Sequence, residues 1–187
     1  MESKASNTLK LAVEISDLLR KNGVETVLCG GGCVTIYTEE KYISGDLDFV
    51  NSYEISYQRI ESILSQIGFK KTGRIFIKHD APLSIDFVNP PLTVGFEHIQ
   101  ITNEIELEGK ILKLLTPTDS VKDRLAAYFY WNSKPSMEQA ILVCKNQKID
   151  FKNIQEWIKK EGIDESKYDF FLDKLKIETT RKRGLSR

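Results

Sequence analysis

The stretch LCGGGCVTIYTEEKYISGDLDFV, residues Leu28 to Val50, sets three consecutive glycines shortly before two carboxylates, Asp46 and Asp48, that alternate with Leu47 and Phe49. Glycine runs weaken helices and strands alike, so a folded chain keeps one where the backbone takes unusual dihedrals or closely approaches something else. The apolar, β-branched run Val24 to Cys29 before it reads as a buried strand. Gly31 to Tyr37 reads as a short helix or turn, and the run at Asp46 as a half-buried strand with both acids on one face. Carboxylates crowded on one face repel one another, and a fold tolerates this mainly when a cation neutralises them. Their hard oxygens suit Mg2+ or Mn2+. Glycine backbone at a helix start lets N–H groups reach phosphate oxygens, so the pattern predicts a site for a metal-bound nucleoside triphosphate.

Outward from this stretch, apolar residues from Leu9 to Leu19 recur at helical spacing, with a stop at Asn22-Gly23, and predict a helix over Asn7 to Lys21. Ile55 to Ile67 is a second helix ended by Gly68, and "GRIFIKHDAPLSIDFV" is a hairpin about His79 to Pro82. The second arm of that hairpin carries a third strand acid, Asp86, between Ile85 and Phe87. Ile99 to Leu107 and Lys110 to Leu114 predict two further strands about Glu108-Gly109, and four helical segments follow Thr116. The expected class is α+β, a mixed β-sheet flanked by helices. Residues 1–115 form the core and 116–187 a helical region packed on it, with the terminal RKRGLSR as a frayed basic tail.

In 187 residues, 27 Lys and Arg balance 27 Asp and Glu, so no global positive field argues for sequence-independent nucleic-acid binding. Cys29, Cys33 and Cys144 follow no paired metal spacing and suit a reducing compartment. No window holds the roughly 18 apolar residues of a membrane span, which predicts a cytoplasmic protein without a membrane partner.

Gly31-Gly32, thirteen residues, then Asp46-Leu47-Asp48 resembles the signature of the polymerase-β-like nucleotidyltransferase superfamily. Within it, "CGGGCVTIY…ISGDLDFV" is most similar to a bacterial branch related to abortive-infection and toxin–antitoxin systems, over about Leu9 to Pro90. "LTPTDSVKDRLAAYFYWNSKPSMEQA" also resembles the helical segment after the sheet in that branch. The resemblance implies a nucleotidyltransferase fold over the core and transfer of a nucleoside monophosphate from a triphosphate to a hydroxyl of a small molecule, protein or RNA. The resemblance also implies a two-metal site with Asp46, Asp48 and Asp86 as its catalytic acids, in which Asp46 and Asp48 would hold two divalent ions that clamp the triphosphate and Asp86 would hold the second ion and help activate the acceptor hydroxyl. Two departures stand out: Gly32 where many active members have Ser, and Lys41-Tyr42 where members of the branch have Arg.

Gly30, Gly31, Gly32, Ser44, Lys122 and Arg124 are the candidates for nucleotide binding. Lys122 and Arg124 are weighed equally against a solvated helix face, and Ser44 against a turn-forming role. Arg74 and Lys78, on the strand before Asp86, read as an exposed strand face sooner than as a cleft wall. His79 and His98 have no partner motifs for nucleophilic chemistry. Tyr128 to Trp131 are mostly core with one or two rings at a cleft edge, and Trp157, Phe170 and Phe171 are core. Two other functions compete: a nucleotidyltransferase-fold antitoxin that neutralises a toxin partner by contact, and, behind it, a metal-dependent phosphohydrolase.

Overall fold

The computed structural model of the chain describes residues 6–51 and 55–184, without the side chains of 181–184. Ser6 caps α1 (Asn7–Lys21) by accepting the Leu9 N–H, and α1 buries Ala12, Ile15 and Leu19 on one face. β1 (Thr26–Cys29) follows, then α2 (Gly30–Tyr37) and β2 (Asp46–Asn51). α3 (Tyr57–Ser65) leads into β3 (Lys70–Thr72), β4 (Ile75–Ile77) and β5 (Ser84–Val88). A two-residue ladder, β6 (Thr93–Val94) with β7 (Glu97–His98), precedes the hairpin β8 (Thr102–Leu107) and β9 (Lys110–Leu115). Four helices close the chain: α4 (Pro117–Trp131), α5 (Lys134–Cys144), α6 (Phe151–Lys160) and α7 (Glu165–Gly184).

Seven strands form one mixed sheet in the order β3-β4-β5-β2-β1-β9-β8. β2 runs antiparallel to β1 and parallel to β5, because α3 and the β3–β4 hairpin carry the chain across between them. Leu28 stands in register with both Phe49 and Leu114, and Phe49 with Phe87, so one sheet face is continuously apolar. Phe87 takes Phe49 at 6.1 Å and Phe76 at 5.7 Å between ring centroids, and α1 and α3 pack beside them. α4 and α5 pack on each other and on α2.

Three expectations are corrected. β3 and the β6–β7 ladder went unread, since Lys70-Lys71-Thr72 carries no apolar signal and two-residue strands leave no period; lysine suits the exposed sheet edge it occupies. Phe170 is exposed: Tyr168 and Phe171, three residues apart, share the inward face of α7 and leave Phe170 on the other. The helix also runs on to Gly184 instead of fraying from Arg181, while residues 185–187 of the tail lie outside the described residues. Among the described residues no helix is long and apolar enough to cross a membrane.

Candidate active site

β1 ends at Cys29, and the chain enters α2 through Gly30 at φ +63°, where a Cβ would collide with the Asp48 carboxylate. A Cβ on Gly31 would lie 2.5 Å from Ser44 Oγ and 3.4 Å from the Tyr42 hydroxyl. Gly32 turns the other way, with Leu28 and Leu47 carbons 3.2 Å from its Cβ position. The pair that adjoins the acids is therefore Gly30-Gly31, and only the backbone of Gly32 is left to meet a ligand. A serine at position 32 would point into the core; the hydroxyl beside this turn belongs to Ser44.

No side chain caps α2 or α5, whereas Ser6, Ser56, Thr116 and Asp150 cap α1, α3, α4 and α6. The first-turn N–H groups of α2 thus lack the side-chain acceptor that those four helices have, which is the condition for an anion site at a helix start. The loop from α2 to β2 is tied back to the same turn. Ser44 N–H donates to Thr35 Oγ1 at 2.9 Å, Thr35 Oγ1 donates to the Gly31 carbonyl at 3.2 Å, and Ser44 Oγ donates to Asp46 Oδ1 at 3.0 Å.

The parallel register pairs Asp46 with Ser84 and Asp48 with Asp86, so all three acids share one sheet face. Their environments differ. Burial, then the Asp46 carboxylate, push the Asp48 carboxyl up to about 7, with Asp86 and Asp123 adding to the rise and Arg124 opposing it. Asp86 is buried and engaged, accepting the Phe87 N–H at 2.9 Å on Oδ1 and Arg74 on Oδ2. Among the described residues no three His, Cys, Asp or Glu side chains converge to hold a metal ion. The pair Asp46 and Asp48 still fits a hard divalent cation, because two carboxylates on one face, one already driven toward its neutral form, need a positive partner. Asp86 does not stand free as a third ligand while Arg74 holds it.

The positively charged candidates separate. Arg124, bonded through Nε and Nη2 to Asp123 Oδ2 at 3.0 and 2.7 Å, lies within electrostatic range of Asp48. Lys122 does not join the site: its side chain is buried against Glu97 at 2.8 Å and Asp119 at 3.2 Å, one helical step round α4, in a separate cleft with His98 and Asp150. Arg74 reaches the acids and Lys78 does not, pairing with Asp80 instead. Asp123 was missed in the sequence, since an acid on a helix after the sheet carries no motif. Burial raises the Cys29 thiol well above its ordinary range, which favours the protonated form of this cysteine beside the acids.

No family model matches the chain, and no curated protein matches it. A crystal structure of an antigenic nucleotidyltransferase-like protein from Paracoccidioides brasiliensis superimposes with a TM-score of 0.54 over 73% of this chain and 75% of that one, at 9% identity. The chain has the nucleotidyltransferase fold. Two structures of ANT(2″)-Ia, one in complex with adenylyl-2″-tobramycin, superimpose with TM-scores of 0.49 and 0.48 at 14% and 13% identity. They cover 75% and 97% of this chain, and 89% and 97% of their own.

Proposed function

We propose that the chain transfers a nucleoside monophosphate from a nucleoside triphosphate to a hydroxyl acceptor, releasing pyrophosphate, with Mg2+ or Mn2+ as cofactor. The observation that carries this reading is the Asp48 carboxyl, raised to about 7 on the face it shares with Asp46 and Asp86, against the uncapped glycine turn. Asp46 and Asp48 would hold the divalent ion, which supplies charge neutralisation at the phosphates when bound. Ser44 aims Asp46 by its hydrogen bond, and the first-turn N–H groups of α2 face the triphosphate. Arg124 adds positive charge beside the acids. Arg74, 81% exposed at its side chain, swings from Asp86 to a phosphate, which leaves Asp86 to take the proton of the acceptor hydroxyl.

Calorimetric titration of ATP, GTP, CTP and UTP with Mg2+ or Mn2+ tests this. Binding of one triphosphate, lost at least a hundredfold in a folded Asp46→Asn/Asp48→Asn variant, is the expected result; no binding of any triphosphate sinks the transfer reading. The engagement of Asp86 by Arg74 favours a second reading, a binding module on this fold that neutralises a toxin partner, as in the abortive-infection and toxin–antitoxin branch that the sequence resembles. Under that reading the double variant binds its partner as the wild type does.

A further inference from the structure

Three aromatic rings stand at the far end of the cleft that begins at Asp123 and Arg124. Phe96 and Trp131 are 81% and 76% exposed, Tyr130 lies between them, and the three meet edge to face at 6.1 and 6.2 Å. Rings so placed, with neither outer ring stacked on a neighbour, keep most of their surface in water. That is costly for the folded chain, and it is no accident of a loose loop.

The turn that presents Phe96 is clamped. Trp157 Nε1 donates to the Val94 carbonyl at 3.2 Å, Phe96 N–H donates to Glu161 Oε1 at 2.8 Å, and Lys122 bonds Glu97 at 2.8 Å. Gly95, at φ +60°, leaves the space that the Glu161 carboxylate fills, and Glu161 also accepts the Tyr130 hydroxyl. Glu161 thereby fixes two of the three rings at once.

The cleft, about 500 Å³, is otherwise lined by Val88, Thr93, Ala126 and Ala127, with Asp123 and Arg124 where it nears Asp48. Asp123, the acid in its lining, is already matched by Arg124. A polycationic ligand finds no unpaired carboxylate among those residues. A flat, polarisable ring finds exposed aromatic faces, small side chains and a charged pair at its phosphate-proximal end.

We propose that this cleft is a nucleobase-stacking site, with Phe96 and Trp131 as its platform. The proposal rests on the transfer reading only for where the base comes from: the donor triphosphate itself, or an acceptor nucleotide whose ribose hydroxyl is directed past Asp48 to Asp86. Stacking of a base on an aromatic side chain is tolerant of sequence and needs no free charge, which is what the lining offers.

The test uses Trp131 fluorescence, since Trp157, the other tryptophan, is 1% exposed. Adenosine, guanosine, cytidine and uridine are titrated without metal into wild type, Phe96→Ala, Trp131→Phe and the Asp46→Asn/Asp48→Asn variant, with ribose 5-phosphate as the ringless control. The expected result is a saturable quench by at least one nucleoside, kept in the double aspartate variant and absent in Trp131→Phe. Phe96→Ala weakens it about tenfold, and ribose 5-phosphate gives no quench. No quench by any nucleoside, an equal quench by ribose 5-phosphate, or an unchanged affinity in Phe96→Ala overturns the proposal. Repeating the titration with a bound non-hydrolysable triphosphate separates the sources: competition assigns the base to the donor, and independent binding to the acceptor. Nucleoside binding without triphosphate binding defeats the transfer reading alone, and the reverse defeats this one alone.

Discussion

Gly30 and Gly95 each hold a positive φ against a carboxylate that fills the place of a side chain, yet the chain builds the two arrangements by different routes. At Gly30 the partner acid is Asp48, pinned within β2, and Cys29 Sγ meets the Asp48 carbonyl across 19 residues. At Gly95 the partner is Glu161, just past the end of α6, and its bond to Phe96 N–H spans 65 residues. The first acid stands on a short side chain whose backbone is fixed by strand pairing on both sides; the second stands on a longer side chain at a helix end, held by the Phe96 N–H and the Tyr130 hydroxyl. Rigid geometry close in sequence leaves a readable motif, while geometry assembled from distant helices leaves none.

The largest expected effect breaks this comparison if it fails. Gly30→Ala combines backbone strain with a collision against an acid on a short, strand-anchored side chain, and should lower stability by about 3 kcal/mol, roughly 10 °C in Tm. Gly95→Ala meets the same kind of strain, and the longer Glu161 side chain can swing aside by giving up its bonds to the Phe96 N–H and the Tyr130 hydroxyl, so about 2 kcal/mol is expected. Equal losses in paired thermal melts would show that Asp48 is no more confined than Glu161.

Next in size is the pH dependence of Asp48. Its folded-state pKa, about 7, lies above the ordinary 3.8, so the folded chain keeps the proton that the unfolded chain gives up. This group's favourable contribution is full below pH 3.8 and is lost as pH rises through about 7. Asp48→Asn should therefore stabilise the metal-free protein at pH 8 by about 2 kcal/mol and change little near pH 4. A wild-type stability that is flat between these pH values would contradict the crowding of acids on which the metal reading depends.

The smallest effect concerns Arg74, whose side chain is 81% exposed. Arg74→Ala leaves the buried Asp86 carboxylate without its cation and should lower Tm by about 3 °C, while Mn2+ binding tightens about threefold as Asp86 is freed. Weaker Mn2+ binding in this variant would mean that Arg74 supports the site and does not compete for Asp86.

Much of the fold was legible because its signals are local. The span of α1, the strand placement of Asp46, Asp48 and Asp86, and the four helices after Thr116 follow from side-chain periods and caps within a few residues. The face shared by Asp46 and Asp48 followed from the two-residue period of a strand, whereas Asp86 joins it only through the register of β5 on β2. Lys122 and Arg124, two apart on one helix, looked equivalent, and packing separated them: Glu97 on β7 claims Lys122, while Arg124 pairs with Asp123 within electrostatic range of Asp48.

By itself, then, the sequence determined the class of fold and which residues form an acidic strand face beside a glycine turn, since these depend on periods of two and on glycine dihedrals that no distant residue alters. Only the tertiary structure decided that Gly32 belongs to the core, that Arg74 occupies Asp86, that Asp123 joins the field around Asp48, and that Phe96 stands exposed beside Trp131. Each of those depends on which elements the sheet order and helix packing bring together, and a pairing across 65 residues, as between Phe96 and Glu161, has no period to betray it.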